Sequence, residues 1–138
     1  MNAQDRLVLD TNVLVSALLN PRGSPGRIWD LVLIREVRLA YSDHLLLEYS
    51  TVLGREKFGF DPKHVAAIMD TFLFQDGVST KPWPHALPDP GDRYFLEVAS
   101  ESSATLITGN VRHFPESLCD GVVVQQPHQW LNMRQDRV

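Results

Sequence analysis

The stretch Arg6-Leu7-Val8-Leu9-Asp10-Thr11-Asn12-Val13-Leu14-Val15-Ser16-Ala17-Leu18-Leu19 decides the fold, because its hydrophobicity breaks at Asp10 and resumes with a different period. Leu7-Val8-Leu9 sets apolar residues side by side rather than alternating, as in a strand buried on both faces. From Asn12 or Val13 onward, Val13, Leu14, Ala17 and Leu18 fall at helical spacing, and Asn20-Pro21-Arg22-Gly23 ends that helix. A buried strand running straight into a helix is the opening unit of a parallel α/β sheet. Asp10-Thr11-Asn12 sits at the joint. All three residue types are favoured at helix N-caps, so the joint alone does not demand a function.

The same alternation continues outward. Ser24-Pro25-Gly26 starts a second helix, Glu36 to Tyr41 alternates as a strand, and Ser42 is the expected N-cap of a helix from Asp43 to about Leu53. A further helix is predicted over Pro62 to Phe74, from Val65, Ile68, Met69 and Phe72, and an edge strand over Gly77 to Thr80. Lys81 to Pro90 is a proline-rich connection. Asp92 to Ser102 reads as a helix, Ala104 to Thr108 as a buried strand, Val122 to Val124 as a last strand and Pro127 to Met133 as a closing helix. Strands alternating with helices predict an α/β fold with a central parallel sheet covered on both faces.

The 138 residues suit one domain spanning 1–138, and the 43% hydrophobic content excludes a disordered chain. No apolar run is long enough to cross a bilayer, and Met1 to Arg6 lacks the features of a signal peptide. The single cysteine, Cys119, leaves no internal disulfide, as in a reduced compartment; a cytoplasmic protein without membrane partners is expected. Thirteen basic against seventeen acidic residues, net −4, argue against a broad cationic surface for nucleic acid. A carboxylate site that takes up divalent cations is still compatible with that balance.

In open parallel sheets, ligands bind beyond the carboxyl ends of the strands. Asp10 ends the first strand, Asn110 follows the Ala104–Thr108 strand, Asp92 opens a helix, and Glu48 lies inside the helix after the second strand. Asp92 could simply complement a helix dipole. Glu48, beside Leu45, Leu46 and Leu47, has no capping explanation, although a solvated helix face would suffice. Converging carboxylates repel unless a cation lies between them, and Mg²⁺ or Mn²⁺ prefers such oxygen donors. Ions held this way assist phosphodiester hydrolysis.

Leu9-Asp10-Thr11-Asn12-Val13-Leu14, Ser42-x-x-Leu45-x-x-Glu48, Asp89-Pro90-Gly91-Asp92 with Phe95-Leu96, and Leu106-Ile107-Thr108-Gly109-Asn110 occur in that order along the chain. Together they resemble the PIN-domain ribonucleases, most nearly the branch of toxins from bacterial toxin–antitoxin pairs. The resemblance implies an α/β/α sandwich and metal-dependent cleavage of single-stranded RNA. It implies Asp10, Glu48 and Asp92 as catalytic residues binding one or two Mg²⁺ or Mn²⁺ ions, with Asn110 as a weaker metal ligand. Asn12 and Thr108 match positions that support the acids by hydrogen bonds; Thr11 and Asp89 are further supporting candidates. A cognate antitoxin and a homodimer are the partners implied besides RNA.

Asn110 departs from the acid common in that branch, and an amide brings no charge to a second metal. Arg112 and His113 are candidates for contacting substrate phosphate, and Arg22 and Arg27 for an RNA backbone, though surface arginines usually meet only solvent. His44, His64, His85 and His128 are read as surface residues, and Trp29, Trp83 and Trp130 as packing. Two rivals remain. An aspartyl-nucleophile phosphatase would also place Asp at the end of its first strand, but usually with a second Asp where Asn12 stands. A PIN-like binding module with weakened activity would suit both Asn110 and the negative charge.

Overall fold

β1 (Asp5–Leu9) carries Leu7, Val8 and Leu9, all buried. Adjacent strand residues point to opposite faces, so their common burial means that both faces of β1 are covered. The structure is a computed structural model describing residues 5–136. Most of Met1 to Arg6, read above as lacking signal-peptide features, lies outside the described residues.

Among the described residues, β1 pairs with β2 (Val37–Leu39) on one side and β3 (Thr105–Ile107) on the other, and β4 (Val124–Gln125) extends the sheet beyond β3. All pairings are parallel, in the order β2-β1-β3-β4. The chain leaves β1 toward one edge and returns on its other side at β3. The order therefore reverses between β1 and β3, where a crevice opens beyond the carboxyl ends.

Helices α1 (Thr11–Leu19), α2 (Ser24–Leu33) and α6 (Pro127–Asp136) pack in series. Helix α3 (Asp43–Leu53) meets both α4 (Pro62–Met69) and α5 (Arg93–Ser102), and α5 lies on β1 and β3. The result is the expected α/β/α sandwich with a central parallel sheet. Its core includes Leu14, Ile28, Leu45, Leu96, Leu106 and Ile107, each fully buried. Such side chains contribute about 1.5–3 kcal/mol apiece on leaving water. Trp29 and Trp130 are buried in it and Trp83 packs against it, as expected. No described helix is long and apolar enough to cross a membrane.

Local chemistry explains the boundaries. Gly26 lies so close to the turn before α2 that a Cβ there would come within 2.2 Å of the Pro21 carbonyl oxygen. Ser42 caps α3 as predicted, accepting from Leu45 N–H at 3.2 Å. Helix α1 starts at Thr11 rather than Asn12, because Asp10 is its N-cap.

Three elements differ from the sequence reading. Helix α4 stops at Met69, not Phe74, and Thr71 Oγ1 donates back to the Ile68 carbonyl at 2.6 Å. Phe72 is held by the rings of Tyr41 and Tyr49, with centroids 5.5 and 5.3 Å away, so its apolar character serves ring packing rather than a helix face. The predicted Gly77–Thr80 strand is reduced to one parallel bridge, Gly77 with Tyr41. The last strand is Val124–Gln125 rather than Val122–Val124, because pairing to Leu106 and Ile107 sets its register.

Candidate functional site

The reversal point between β1 and β3 is closed by Asp10 and Thr108. Asp10 N–H donates to the Ile107 carbonyl at 2.9 Å, carrying the β1–β3 ladder one residue past the strand. Its Oδ1 accepts from Asn12 N–H at 3.3 Å, and its Oδ2 from Thr108 Oγ1 at 2.8 Å. Thr108 is fully buried, and its hydroxyl oxygen also accepts from Asn110 N–H at 3.0 Å. One Asp10 oxygen therefore serves the helix cap, and the other is held by Thr108 at the reversal point. Burial pushes the Asp10 carboxyl above its ordinary value; the Thr108 and Asn12 hydrogen bonds oppose this, and Glu48 adds to it.

Glu48 reaches the same place from α3. The next residue, Tyr49, is 1% exposed, and its hydroxyl donates at 2.5 Å to the Leu9 carbonyl, tying α3 to the end of β1. Thr11 Oγ1 in turn donates to Glu48 Oε2.

Asp92 arrives differently. Asp89 caps the short 3₁₀ turn Pro90–Asp92 by accepting from Gly91 N–H at 3.0 Å, and α5 begins at Arg93. Asp92 stands at the start of α5, where it complements the helix dipole, but makes no capping hydrogen bond. Its Oδ2 is buried without a hydrogen-bond donor. His113 Nδ1 lies 3.3 Å from that oxygen, an ion-pair distance without hydrogen-bond alignment. Burial, with Asp10 and Asp89 as like charges, pushes the Asp92 carboxyl from 3.8 to about 6, and His113 opposes the rise.

A cleft of about 320 Å³ gathers Asp10, Thr11, Asn12, Glu48, Asp89 and Asp92 on one lining. A larger cavity, about 500 Å³, is lined mainly by apolar residues around Val111, Phe114 and Val122, with Glu116 its one carboxylate. Chemistry rather than size singles out the smaller cleft. Asn110 and Arg112 are exposed and do not line it, and Arg22 and Arg27 lie away from it. His44, His64 and His128 are exposed, as expected, while half-buried His85 pairs with Asp120 at 2.7 Å. The lining also holds Arg55, Lys57 and Phe58, which the sequence reading did not single out. The available signal was the basic and aromatic interleaving of Gly54-Arg55-Glu56-Lys57-Phe58-Gly59-Phe60, directly after the helix that carries Glu48.

These donors fit a hard divalent cation. Asp89, Asp92 and His113 each offer a ligand atom, all within 4.8 Å of one another. The undonated Asp92 oxygen marks an incomplete site, and the Asp10 and Asp92 carboxyls are raised first by burial and then by neighbouring carboxylates.

Comparison with known proteins agrees with this geometry. Residues 6–112 match the family model described as PIN domain. The uncharacterized protein MJ1680 of Methanocaldococcus jannaschii is 32% identical over 112 residues, covering 76% of this chain and 70% of the archaeal one. The chain belongs to the PIN-domain family, a nuclease fold whose members typically bind divalent metal ions.

Proposed function

We propose that the chain, as a single domain over residues 1–138, is a Mg²⁺- or Mn²⁺-dependent endoribonuclease that hydrolyses phosphodiesters of single-stranded RNA. The observation that carries the reading is the buried Asp92 oxygen without a donor, in a cleft shared with Asp10 and Glu48. A carboxylate left this way costs stability unless a cation completes it.

Asp10, Glu48 and Asp92 would hold one or two ions, with Asn110 as the outermost member and Asp89 and His113 beside Asp92. A bound ion supplies Lewis-acid stabilisation of charge on the phosphoryl oxygens. The chain's own residues keep the donors in place. Thr108 and the Asn12 backbone fix Asp10, and Thr11 fixes Glu48. His113 Nδ1 stands beside Asp92, 3.3 Å from its Oδ2. In this reading Arg112 and His113 face the substrate.

The test is cleavage of a single-stranded RNA in Mg²⁺ or Mn²⁺. Asp10→Asn is expected to abolish it while circular dichroism still reports a folded protein. Equal cleavage by both proteins, or cleavage undiminished by EDTA, overturns the proposal. The resemblance to the toxin branch supports a cytoplasmic toxin role with a cognate antitoxin and a homodimeric state. Growth arrest on expression, relieved by a small protein encoded alongside, is the expected result, with size-exclusion chromatography reading the oligomer.

One observation favours a second reading, a PIN-like binding module with weakened activity: Asn110 brings no charge and does not line the cleft. That reading predicts no Mn²⁺ heat in calorimetry that Asp10→Asn removes.

A further inference from the structure

The turn after α3 carries cations that nothing else in the described protein uses. It comprises Arg55 and the 3₁₀ turn Glu56–Phe58, and is closed by Gly59, whose φ of +63° lies in the left-handed region glycine favours. The Phe58 and Phe60 rings stack at 5.6 Å with 16° between their planes, and both pack partly against the core. The turn is therefore anchored by its aromatic residues. Arg55 and Lys57 are exposed and line the same cleft as Asp10, Glu48 and Asp92; Glu56 between them does not. The Lys57 ammonium sits 5.1 Å from the Phe58 ring centroid, a contact that leaves its charge unneutralised.

The simplest alternative is that these cations merely balance the carboxylates. The geometry contradicts it. Neither Arg55 nor Lys57 forms an ion pair with any described residue, and neither is among the groups that shift Asp10 or Asp92. They stand on the lining of an acidic cleft as positive charges without an ion-pair partner among the described residues. A polyanion approaching four carboxylates needs such charges at the entrance.

We propose that the Arg55–Phe58 turn grips the substrate strand: Arg55 and Lys57 bind backbone phosphates of single-stranded RNA, and Phe58 offers its ring to a base. Basic side chains alternating with an aromatic platform suit a single strand, whose bases are free to stack. The choice of RNA as the strand rests on the ribonuclease reading; the grip itself rests on the turn.

The test measures binding of a fluorescein-labelled, mixed-sequence single-stranded RNA by anisotropy, in EDTA, across a potassium chloride series. The Arg55→Gln/Lys57→Gln double variant touches only exposed side chains and should melt like the parent. Losing two phosphate contacts should make the log–log salt slope shallower by about 1.4, with affinity at low salt at least about ten-fold weaker. Phe58→Leu, which keeps an apolar side chain at the anchor, should weaken binding about ten-fold with the salt slope unchanged. An unchanged slope and affinity in the double variant overturn the proposal. Cleavage in Mn²⁺ by the wild type and Asp10→Asn is run in parallel. Asp10-dependent cleavage with an unchanged salt slope sinks the grip alone. A shallower slope without Asp10-dependent cleavage sinks the ribonuclease reading and leaves the grip standing.

Discussion

Asp10 and Asp92 share one cleft and are both lifted by burial, yet the chain treats them in opposite ways. Each Asp10 oxygen has a donor from the protein, one from Asn12 N–H and one from Thr108 Oγ1. One Asp92 oxygen is buried with none. Hydrogen bonds from Thr108 and Asn12 oppose the rise of Asp10 more than Glu48 adds to it, whereas Asp10 and Asp89 drive Asp92 further up against His113 alone. The strand end is thus complete within the fold, whereas the open Asp92 oxygen has His113 beside it at 3.3 Å and no aligned donor. On the proposed reading, the scaffold completes Asp10 and a bound cation completes Asp92.

Cleavage offers the harshest test of that contrast. If both carboxylates serve one ion site, Asp92→Asn should reduce RNA cleavage as deeply as Asp10→Asn, by about 10³-fold or roughly 4 kcal/mol of barrier. A kinetic assay in Mn²⁺ showing Asp92→Asn near wild-type rates would place Asp92 outside the chemistry.

Stability should separate the two acids next. Thr108→Val keeps the shape of a fully buried side chain but leaves Asp10 Oδ2 and Asn110 N–H without their partner. Destabilisation by about 1–3 kcal/mol is expected from urea unfolding in EDTA. A loss below about 0.5 kcal/mol would mean that water replaces the hydroxyl and that Asp10 is not held by the fold.

Asp92 should act in the other direction. Its carboxyl sits at about 6 instead of 3.8, so the folded protein binds the proton more tightly than the unfolded chain. The associated stability is present below 3.8 and is lost as pH rises through about 6; raised Asp10 contributes in the same sense. After allowance for solvent screening, the loss assigned to Asp92 is about 1–2 kcal/mol. Asp92→Asn should therefore stabilise the metal-free protein by that amount near neutral pH and leave it unchanged below the ordinary carboxylate value. Saturating Mn²⁺ should reverse the sign, because the wild type then gains ion binding that the variant lacks. Melting curves at two pH values, with and without Mn²⁺, test all three statements.

The contrast also marks how far the sequence could be read. Residues whose role is set within a few neighbours were legible: the buried run of β1, the Ser42 cap, and Asp10 at a strand end. Their signals are local chemistry. Phe72 was misread because an apolar residue at helical spacing carries the same pattern when aromatic rings elsewhere in the chain bury it. The position of β4 was missed because an edge strand takes its register from β3, not from its own valines. In the cleft, the acids could be ordered along the chain, but the undonated oxygen of Asp92 is a property of packing alone. Arg55 and Lys57 escaped because only the folded chain brings them onto one cleft lining with Asp10 and Asp92, at positions far away in sequence.

Asn110 gives the smallest expected effect and the sharpest boundary to the site. Its backbone N–H supports Thr108, while its side chain is exposed beyond the cleft lining. If its amide oxygen is the outermost metal ligand, Asn110→Asp adds charge where a second ion binds. Mn²⁺ affinity at the weaker site should then rise by about three- to ten-fold, at most about 1.4 kcal/mol, in a calorimetric titration. The tighter site should not change, since Asp10 and its Thr108 hydrogen bond stay as they are. An isotherm identical to that of the wild type would remove Asn110 from the ligand set. His113, 3.3 Å from the open Asp92 oxygen, would then be the group nearest to completing it.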